Sequence, residues 1–385
     1  MKIKVIKKYL TMVLVIAIAV STFAFQSTAN AAKDVEEGAV FAMTNETEGN
    51  RIVSYTRYED GKLQIEKSTR TGGLGIGVDL DTQGGLRLSP DNRFLYAVNA
   101  GSDDISVFSV KGSKLKLIQR IAAGDQPVSM AIHDDLLYVL DGSVAEQGIM
   151  GFRIGSNGML SPIPNSMRML SSPIAVPGDI EFSPDGGTIL VTHKVFNELV
   201  SENYIIDSFS INGNGIASAM PVINASNGIR PFALAFRDDG KVAVVEAFNA
   251  SMGKTAVSSY NLNGGNLSVI SGSVANGQTD GCWIVISKDQ RFAFVANFGS
   301  GTISTYSFGA DGSLTLVNGA SASLGMPSQP VDLAQSDDGK YLYLLMRGTG
   351  GVASFEINTD GSLTHIADYF GVLPVGDGAS GLAAY

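Results

Sequence analysis

This chain has little of the chemistry that marks most enzymes. It contains one cysteine, Cys282, three histidines and one tryptophan among 385 residues, and only 17% of its residues are charged. A single cysteine excludes an intramolecular disulfide, and the cysteine and histidine spacing of zinc sites is missing. The G-x-S-x-G nucleophile elbow, the H-E-x-x-H helix and the acidic calcium loop are missing as well. We therefore expect no metal ion and no cofactor.

Positive charge is also scarce. The chain has 27 Lys and Arg against 37 Asp and Glu, a net charge of −10. Four of the lysines lie within the first eight residues, so the rest of the chain carries a net charge of −14. A surface this acidic repels phosphate backbones and anionic membranes. Nucleic acid is excluded as a partner on these grounds.

The first 31 residues have the pattern of a signal peptide. The four lysines precede an apolar run, Met12 to Val20, and the segment ends in Ala29-Asn30-Ala31, a small-x-small cleavage site. An uncleaved anchor is the alternative, but the apolar run is short for a membrane span. We expect cleavage before Ala32, no membrane span afterwards, and a secreted, periplasmic or cell-surface product consisting of one domain, residues 32–385.

One motif recurs through the mature chain. A polar turn such as Ser-Pro-Asp is followed by a strand rich in β-branched and aromatic residues, and the clearest copies are residues 89–99 and 287–297. Further copies occupy 183–193, 237–247 and 336–346, with weaker ones at 133–141 and 38–45. Seven repeats of roughly 40–50 residues, each with several short strands, are typical of a β-propeller. The sequence predicts an all-β, seven-bladed propeller of four-stranded blades.

The two ends of the chain are predicted to complete one blade. Only six innermost strands occur internally, and the C-terminal residues 380–385 supply the seventh, beside residues 40–45. This pairing leaves no open sheet edge. Seven hairpin dipeptides that contain glycine, from Asp60-Gly61 to Asp360-Gly361, give the same count.

The turn aspartates recur in every blade, so we expect them to cap their own turns rather than form a site. The glycine-rich stretch 72–77 fits no nucleotide-binding register, and we interpret it as a flexible connection between blades.

The candidate site consists of polar residues that differ between blades and lie on one face. This face, here called the entry face, carries the loops that lead into the innermost strands and those between second and third strands. His193 and Glu246 end equivalent strands of adjacent blades and are candidates for acid and base, with Arg230 as the third catalytic candidate. As an alternative to a catalytic role, polar residues at strand ends often hydrogen-bond backbone groups near a channel. For Trp283 the alternative to a binding role is packing in the core between blades. The predicted substrate-binding residues are Asn99, Asp179, Lys194, Asp280, Trp283, Asn297 and Arg347.

Several segments resemble the seven-bladed propeller lactonase family, which includes 6-phosphogluconolactonases and carboxymuconate-lactonising enzymes. They are Phe-Ser-Pro-Asp-Gly at 182–186, the strand breaks after Asn99 and Asn297, and the Asp-Gly-Ser-Leu-Thr hairpins at 311–315 and 360–364. Residues 277–283 resemble an exported bacterial branch labelled carboxymuconate cyclase-like. The resemblance covers roughly residues 38–385.

The resemblance implies a site with Arg and His after a proline that begins an innermost strand, and a Glu after the next strand. Here the proline is Pro231, with Arg230 before it and Glu246 near the position of the acid. The implied function is an exported hydrolase or cycloisomerase of a small lactone. A non-catalytic propeller of the YVTN type, binding a glycan, peptide or envelope partner, remains the alternative. A monomer is expected in either case.

The signal-peptide interpretation predicts the N-terminus of the exported product. Protein recovered outside the cytoplasm should begin at about Ala32, because the small-x-small site precedes this residue. Intact mass and N-terminal sequencing measure this. An extracellular product that retains Met1 would contradict the interpretation.

Overall fold

A computed structural model describes residues 35–145, 147–376 and 378–385. The predicted signal peptide lies outside these residues. The described part consists of 29 short β-strands and one 3₁₀ turn, Phe248–Ala250. None of its helices is long and apolar enough to span a lipid bilayer.

The strands form seven antiparallel sheets, one for each blade, as the repeats predicted. In chain order, the first three strands belong to blade 7: β1 (Glu36–Met43), β2 (Arg51–Tyr58) and β3 (Leu63–Arg70). Blade 1 contains β4 (Leu86–Leu88), β5 (Phe94–Asn99), β6 (Asp104–Lys111) and β7 (Lys114–Ala122). Blade 2 contains β8 (Pro127–His133), β9 (Leu136–Asp141), β10 (Gly148–Ile154), β11 (Leu160–Pro162) and β12 (Arg168–Met169). In blade 2 the outermost strand is thus divided into two short pieces, both paired with β10.

The remaining blades are more regular. Blade 3 contains β13 (Pro177–Phe182), β14 (Thr188–His193), β15 (Ile205–Ser210) and β16 (Val222–Ala225); blade 4 contains β17 (Pro231–Phe236), β18 (Lys241–Glu246), β19 (Ala256–Asn263) and β20 (Asn266–Ala275); blade 5 contains β21 (Gly281–Ile286), β22 (Phe292–Asn297), β23 (Thr302–Phe308) and β24 (Leu314–Ser323); blade 6 contains β25 (Pro330–Gln335), β26 (Tyr341–Met346), β27 (Gly351–Ile357) and β28 (Leu363–Phe370); and β29 (Leu382–Ala384) completes blade 7.

The hydrophobic core lies between neighbouring blades. Second strands such as β5, β22 and β26 are buried along their whole length, because both faces of each blade pack against another blade. Their near-continuous apolar sequences follow from this two-sided burial. The outermost strands are mostly exposed or partly exposed instead, with a single buried residue in each of β7 and β24, as expected at the water-facing edge of a blade.

The C-terminal strand closes the ring as predicted. In β29, Ala383 pairs with Phe41 of β1 in an antiparallel register. Just before this strand, the amide of Met43 donates to the carbonyl of Gly381 at 3.0 Å. The first and last described strands therefore belong to one sheet, and blade 7 has its innermost strand.

Buried tyrosines join successive blades. The hydroxyl of Tyr96 in blade 1 donates to the carbonyl of Gly158 in the outer hairpin of blade 2, at 3.0 Å. Tyr138 makes the equivalent bond to Gly215 of blade 3 at 2.9 Å. A buried hydroxyl is costly without a partner, so these bonds fix where each blade meets the next.

The turn aspartates cap their own turns, as expected. The hydroxyl of Ser89 donates to Asp91 at 2.7 Å, and Ser287 donates to Asp289 at 2.6 Å. These carboxylates are thus used locally in the fold.

Deletion of residues 380–385 should destabilise the whole domain. The deletion removes β29, exposes apolar surface of β1 and leaves backbone groups of blade 7 unpaired. We expect the free energy of unfolding to fall by about 3 kcal/mol or more. Urea unfolding measures this, with Asp91→Ala as the control, for which about 1 kcal/mol is expected. A truncated chain as stable as the full-length one would contradict closure by this strand.

Candidate active site

The residue that precedes the innermost strand has an unusual backbone conformation in blades 2–6. Its φ is positive although it is never glycine; the residues are Gln126 (61°), Val176 (42°), Arg230 (57°), Asp280 (52°) and Gln329 (47°). A bulge follows within each of these strands. A left-handed conformation costs a non-glycine residue roughly 1–2 kcal/mol, and bulges commonly redirect side chains next to functional sites. The conformation brings Arg230 and Asp280 to the entry-face end of the central channel.

A short segment crosses the channel just inside the entry face. Residues 79–84, here called the plug segment, connect β3 of blade 7 to β4 of blade 1. The hydroxyl of Thr82 donates to the carbonyl of Val128 in blade 2 at 2.8 Å. From the other side of the channel, Nε1 of Trp283 in blade 5 donates to the carbonyl of Thr82 at 3.1 Å.

Gln83 extends this bridge deeper into the channel. Its amide donates to the carbonyl of Gly178 in blade 3 at 3.2 Å, and its carbonyl accepts from the hydroxyl of Ser129 in blade 2. Its side-chain oxygen accepts from the amide of Ile284 in blade 5 at 2.9 Å. The side chain is 7% exposed. Three blades therefore hold this one residue.

Ion pairs hold the entry-face side of the plug segment. Nζ of Lys194 lies 2.5 Å from Oδ2 of Asp81, and Nη2 of Arg230 lies 3.5 Å from the same oxygen. Nη1 of Arg347 lies 2.7 Å from Oδ2 of Asp79. Cations from blades 3, 4 and 6 thus bind the two plug carboxylates.

Gly84 allows the plug segment to enter β4. Its φ is +85°, and a Cβ at this position would lie 2.7 Å from Nη2 of Arg87 and 2.9 Å from Oγ of Ser129. Any larger residue would suffer both an unfavourable φ and steric overlap.

The plug segment closes the channel at the entry face and leaves it open at the opposite face. This opposite face, here called the turn face, carries the Ser-Pro-Asp type turns. A cavity of about 570 Å³ runs inward from Pro90, Pro184 and Asp337 at the turn face, and among the plug residues it contacts Gln83. Its volume is within the range of small-molecule sites. The channel is therefore a pocket that ends at Gln83.

Three polar side chains meet at this blind end. Nη2 of Arg87 bonds Oε1 of Glu181, and Nε of Arg87 donates to the carbonyl of Met130 at 2.9 Å. Within the described part of the chain, Nη1 of Arg87, Oε2 of Glu181 and Nε2 of Gln83 have no protein partner, although all three residues line the cavity. Two N–H donor groups and one carboxylate oxygen are thus available to a ligand.

The electrostatics of this end are dominated by buried carboxyl groups. Burial raises the pKa of Glu181, an effect opposed by Arg87. Burial and the nearby Glu181 raise the pKa of Asp179, whose carboxylate accepts the amide of Leu234 at 3.1 Å. Burial also raises the pKa of Asp332 to about 7. The region carries more acids than cations, and burial shifts these acids toward their protonated, uncharged form.

The structure buries His193 and Glu246 within their blades, and neither lines the channel cavity. Both residues are fully buried. Nε2 of His193 lies 2.9 Å from Oδ2 of Asp207. Glu246 accepts hydrogen bonds from Ser258 at 2.5 Å and Ser273 at 2.6 Å. No described contact joins the two candidates, and each is bonded to strands of its own blade.

Asn99 and Asn297 are also buried between blades. Nδ2 of Asn99 donates to Oδ1 of Asp104 at 2.7 Å, and Nδ2 of Asn297 donates to Oγ of Ser304 at 2.8 Å. Each also accepts a bond at 3.0 Å from an asparagine, Asn50 or Asn276. These strand ends connect neighbouring loops and do not reach the channel cavity.

The other predicted residues come together at the plug segment. Lys194, Arg230 and Arg347 bind the plug carboxylates as described above, while Asp179 lies deeper, at the blind end. Burial raises the pKa of Asp280, an effect opposed by Arg230. Trp283 is buried against Phe232, with ring centroids 5.1 Å apart. The sequence thus predicted a cluster of charged residues that the structure contains, but the cations of this cluster bind the carboxylates of the plug segment.

Sequence reasoning missed Gln83, Arg87 and Glu181. A signal for two of them was present, because Arg87 and Glu181 are charged residues within innermost strands that are otherwise apolar. No signal of this kind marks Gln83, which follows the glycine-rich stretch 72–77 in the same connection between blades. Backbone hydrogen bonds hold that connection as well, including Gly77 to the carbonyl of Asn45 at 2.9 Å.

Asp332→Asn should stabilise the protein increasingly as pH rises. The pKa of Asp332 is about 7 in the folded state and about 3.9 in an unfolded chain, so folding takes up a proton between these values. Its contribution to stability is complete below pH 4 and is lost as pH rises through 7. The variant should gain up to about 4 kcal/mol over wild type at pH 8 and little at pH 4. Denaturant unfolding at both pH values measures this, and an equal effect at both would contradict the shift.

Comparison with known proteins agrees with the fold. The family model of the seven-bladed β-propeller lactonases matches residues 36–176 and 205–327, more than half of the chain. No curated protein sequence matches. A structure from Bacteroides uniformis, provisionally assigned as a 6-phosphogluconolactonase, aligns with a TM-score of 0.71 and 18% identity over 91% of this chain and 100% of its own.

Two further solved structures are similar. A Bacteroides fragilis protein with the same provisional assignment has a TM-score of 0.68 and 19% identity over 90% of this chain and 98% of its own. A periplasmic gluconolactonase of Pseudomonas aeruginosa has a TM-score of 0.66 and 17% identity over 90% and 98%, respectively. At these identities the likeness establishes a common fold. With the family match, it shows that the chain belongs to the seven-bladed β-propeller lactonase family.

Proposed function

We propose that this protein is an exported lactone hydrolase that works at the blind end of the channel and receives its substrate from the turn face. One observation carries the proposal: unpaired polar atoms of Gln83, Arg87 and Glu181 converge in a cavity of about 570 Å³. A concave site with a few convergent polar groups and shifted pKa values is where catalysis is expected. Family membership and the names of similar proteins supply the reaction class.

Glu181 acts as the general base in this proposal. Its free Oε2 takes a proton from a water molecule as the water oxygen attacks the acyl carbon of the lactone. The C–O bond of the ring then breaks, and Glu181 returns the proton to the ring oxygen that leaves. The product is a hydroxy acid. Because burial raises the pKa of Glu181, activity should decline with falling pH at values above the ordinary glutamate pKa of about 4.3.

Arg87 and Gln83 stabilise the charge that develops on the carbonyl oxygen. The guanidinium offers the N–H groups of Nη1, and the Gln83 amide offers those of Nε2. Both donors are held before substrate arrives, Arg87 by Glu181 and Met130, and Gln83 by three blades. Pre-oriented donors in a site with little water commonly contribute a factor of about 10²–10³ to the rate.

The entry-face charges serve a positioning role in the proposal. Lys194 and Arg230 hold Asp81, and this contact fixes the segment that carries Gln83. His193 and Glu246 contribute buried hydrogen bonds within their blades. The catalytic role that the sequence predicted for His193 and Glu246 competes with the role proposed here for Glu181. The following experiment distinguishes the two.

Glu181→Gln and Glu246→Gln form a matched pair of variants. Each replaces a carboxylate by an amide of the same shape, partly buried at Glu181 and fully buried at Glu246. Glu181→Gln should lower kcat/KM for lactone hydrolysis by about 10²-fold or more, because the base is lost. Glu246→Gln should leave kcat/KM within a few-fold. Thermal unfolding serves as the control that both variants are folded.

The reverse result would return the site to the position predicted from sequence. Loss of turnover in Glu246→Gln, with activity retained in Glu181→Gln, would contradict the assignment to the channel. Absence of turnover with every lactone in the wild-type protein would favour the non-catalytic binding propeller.

A further inference from the structure

We propose that a second cavity, on the entry face between blades 3 and 4, binds a small organic cation of the alkylammonium class. The cavity measures about 280 Å³. Phe196, Glu202 and Tyr204 line it from the loop between β14 and β15, and Ile229 lines it from the segment that leads into β17. Among the described residues, none lines both this cavity and the channel. The volume lies near the lower limit of small-molecule sites, so the ligand is small.

Two aromatic rings contribute to the wall of this cavity. The ring centroids of Phe196 and Tyr204 lie 5.7 Å apart, with 42° between the ring planes. The side chain of Phe196 is 40% exposed, and that of Ile229 is 41% exposed. The face of an aromatic ring carries negative electrostatic potential and attracts cations, and groups of such rings bind quaternary ammonium ligands.

The Tyr204 ring is held in place by the loop of the neighbouring blade. Nδ2 of Asn249 donates to the hydroxyl of Tyr204 at 3.3 Å. Asn249 belongs to a turn in which Phe248, Asn249 and Ala250 have φ values of 49°, 50° and 56°. This left-handed conformation is unfavourable for residues other than glycine, and such strained segments are concentrated at ligand sites. The turn thus orients a ring that faces solvent and not the core.

The charge of the cavity is negative. Glu202 is the one charged residue among the described residues that line it, and its carboxylate has no hydrogen bond or ion pair within the described part of the chain. The nearby cations Lys194 and Arg230 bind Asp81 of the plug segment instead. An unpaired carboxylate beside two aromatic rings attracts an ammonium group and repels an anion.

Binding of choline to the purified protein, measured by calorimetric titration, tests this proposal. The alcohol 3,3-dimethyl-1-butanol is the neutral carbon analogue of choline and has nearly the same shape. We expect it to bind at least about tenfold more weakly, because attraction to the rings and to the carboxylate both require the positive charge. Equal affinity for the two compounds would overturn the proposal, since apolar contact alone would then explain binding.

Two variants locate the site. Phe196→Leu keeps the apolar bulk but removes the aromatic face, and Glu202→Gln removes the charge. Each should weaken choline binding by about three- to tenfold. Phe370→Leu and Glu356→Gln change exposed residues of blade 6 and are the matched controls, which should bind choline as the wild type does. Thermal unfolding verifies that all four variants are folded.

The proposal does not depend on the function assigned to the channel. Glu181→Gln should leave the affinity for choline unchanged, and Phe196→Leu should leave kcat/KM for lactone hydrolysis within a few-fold. Loss of choline binding in Glu181→Gln, with binding retained in Phe196→Leu and Glu202→Gln, would place the cation in the channel and overturn the assignment.

Two further results would also contradict the proposal. Absence of choline binding to the wild-type protein is the first. The second is binding of N-acetylglucosamine in place of choline, lost in Phe196→Leu, which would show that the cavity takes a neutral sugar.

Discussion

The hydrogen bonds of the plug segment are the constraint on which the site depends. A ring of blades leaves a central channel lined by strand edges and polar groups, and residues 79–84 cross it near the entry face. Thr82 and Gln83 satisfy groups of blades 2, 3 and 5, while Asp79 and Asp81 bind cations of blades 3, 4 and 6. The segment therefore forms the closed end of the channel.

This closure gives the two faces different properties. At the entry face the cations that could receive an anionic ligand already bind plug carboxylates, as Lys194 does with Asp81. At the turn face the channel is open, and it ends at Gln83 beside Arg87 and Glu181. A partly buried site strengthens the effect of each charge, so the few unpaired atoms of Arg87, Glu181 and Gln83 carry the chemistry in the proposal.

The repeat-based expectations succeeded because each of them depends on local pattern. The turn aspartates bond within two or three residues, as in Ser89 and Asp91, and such bonds can be predicted from adjacent letters. Ring closure also followed from counting, since the seventh innermost strand was available only at the C-terminus. The candidate site was less predictable. The sequence identified the entry face from residues that differ between blades, and the structure brings Lys194, Arg230 and Asp280 together there, while His193 and Glu246 lie within their own blades.

The sequence alone therefore determined the seven blades, their closure and the turns, because strand period and turn chemistry are local properties of the chain. Only the tertiary structure decided which end of the channel is open. This depends on how one short connection contacts five other blades, and those contacts join residues as distant as Thr82 and Trp283. No local pattern specifies such a path. The same geometry decided that Arg87 and Glu181, far apart in sequence, become neighbours, and that Gln83 completes their site.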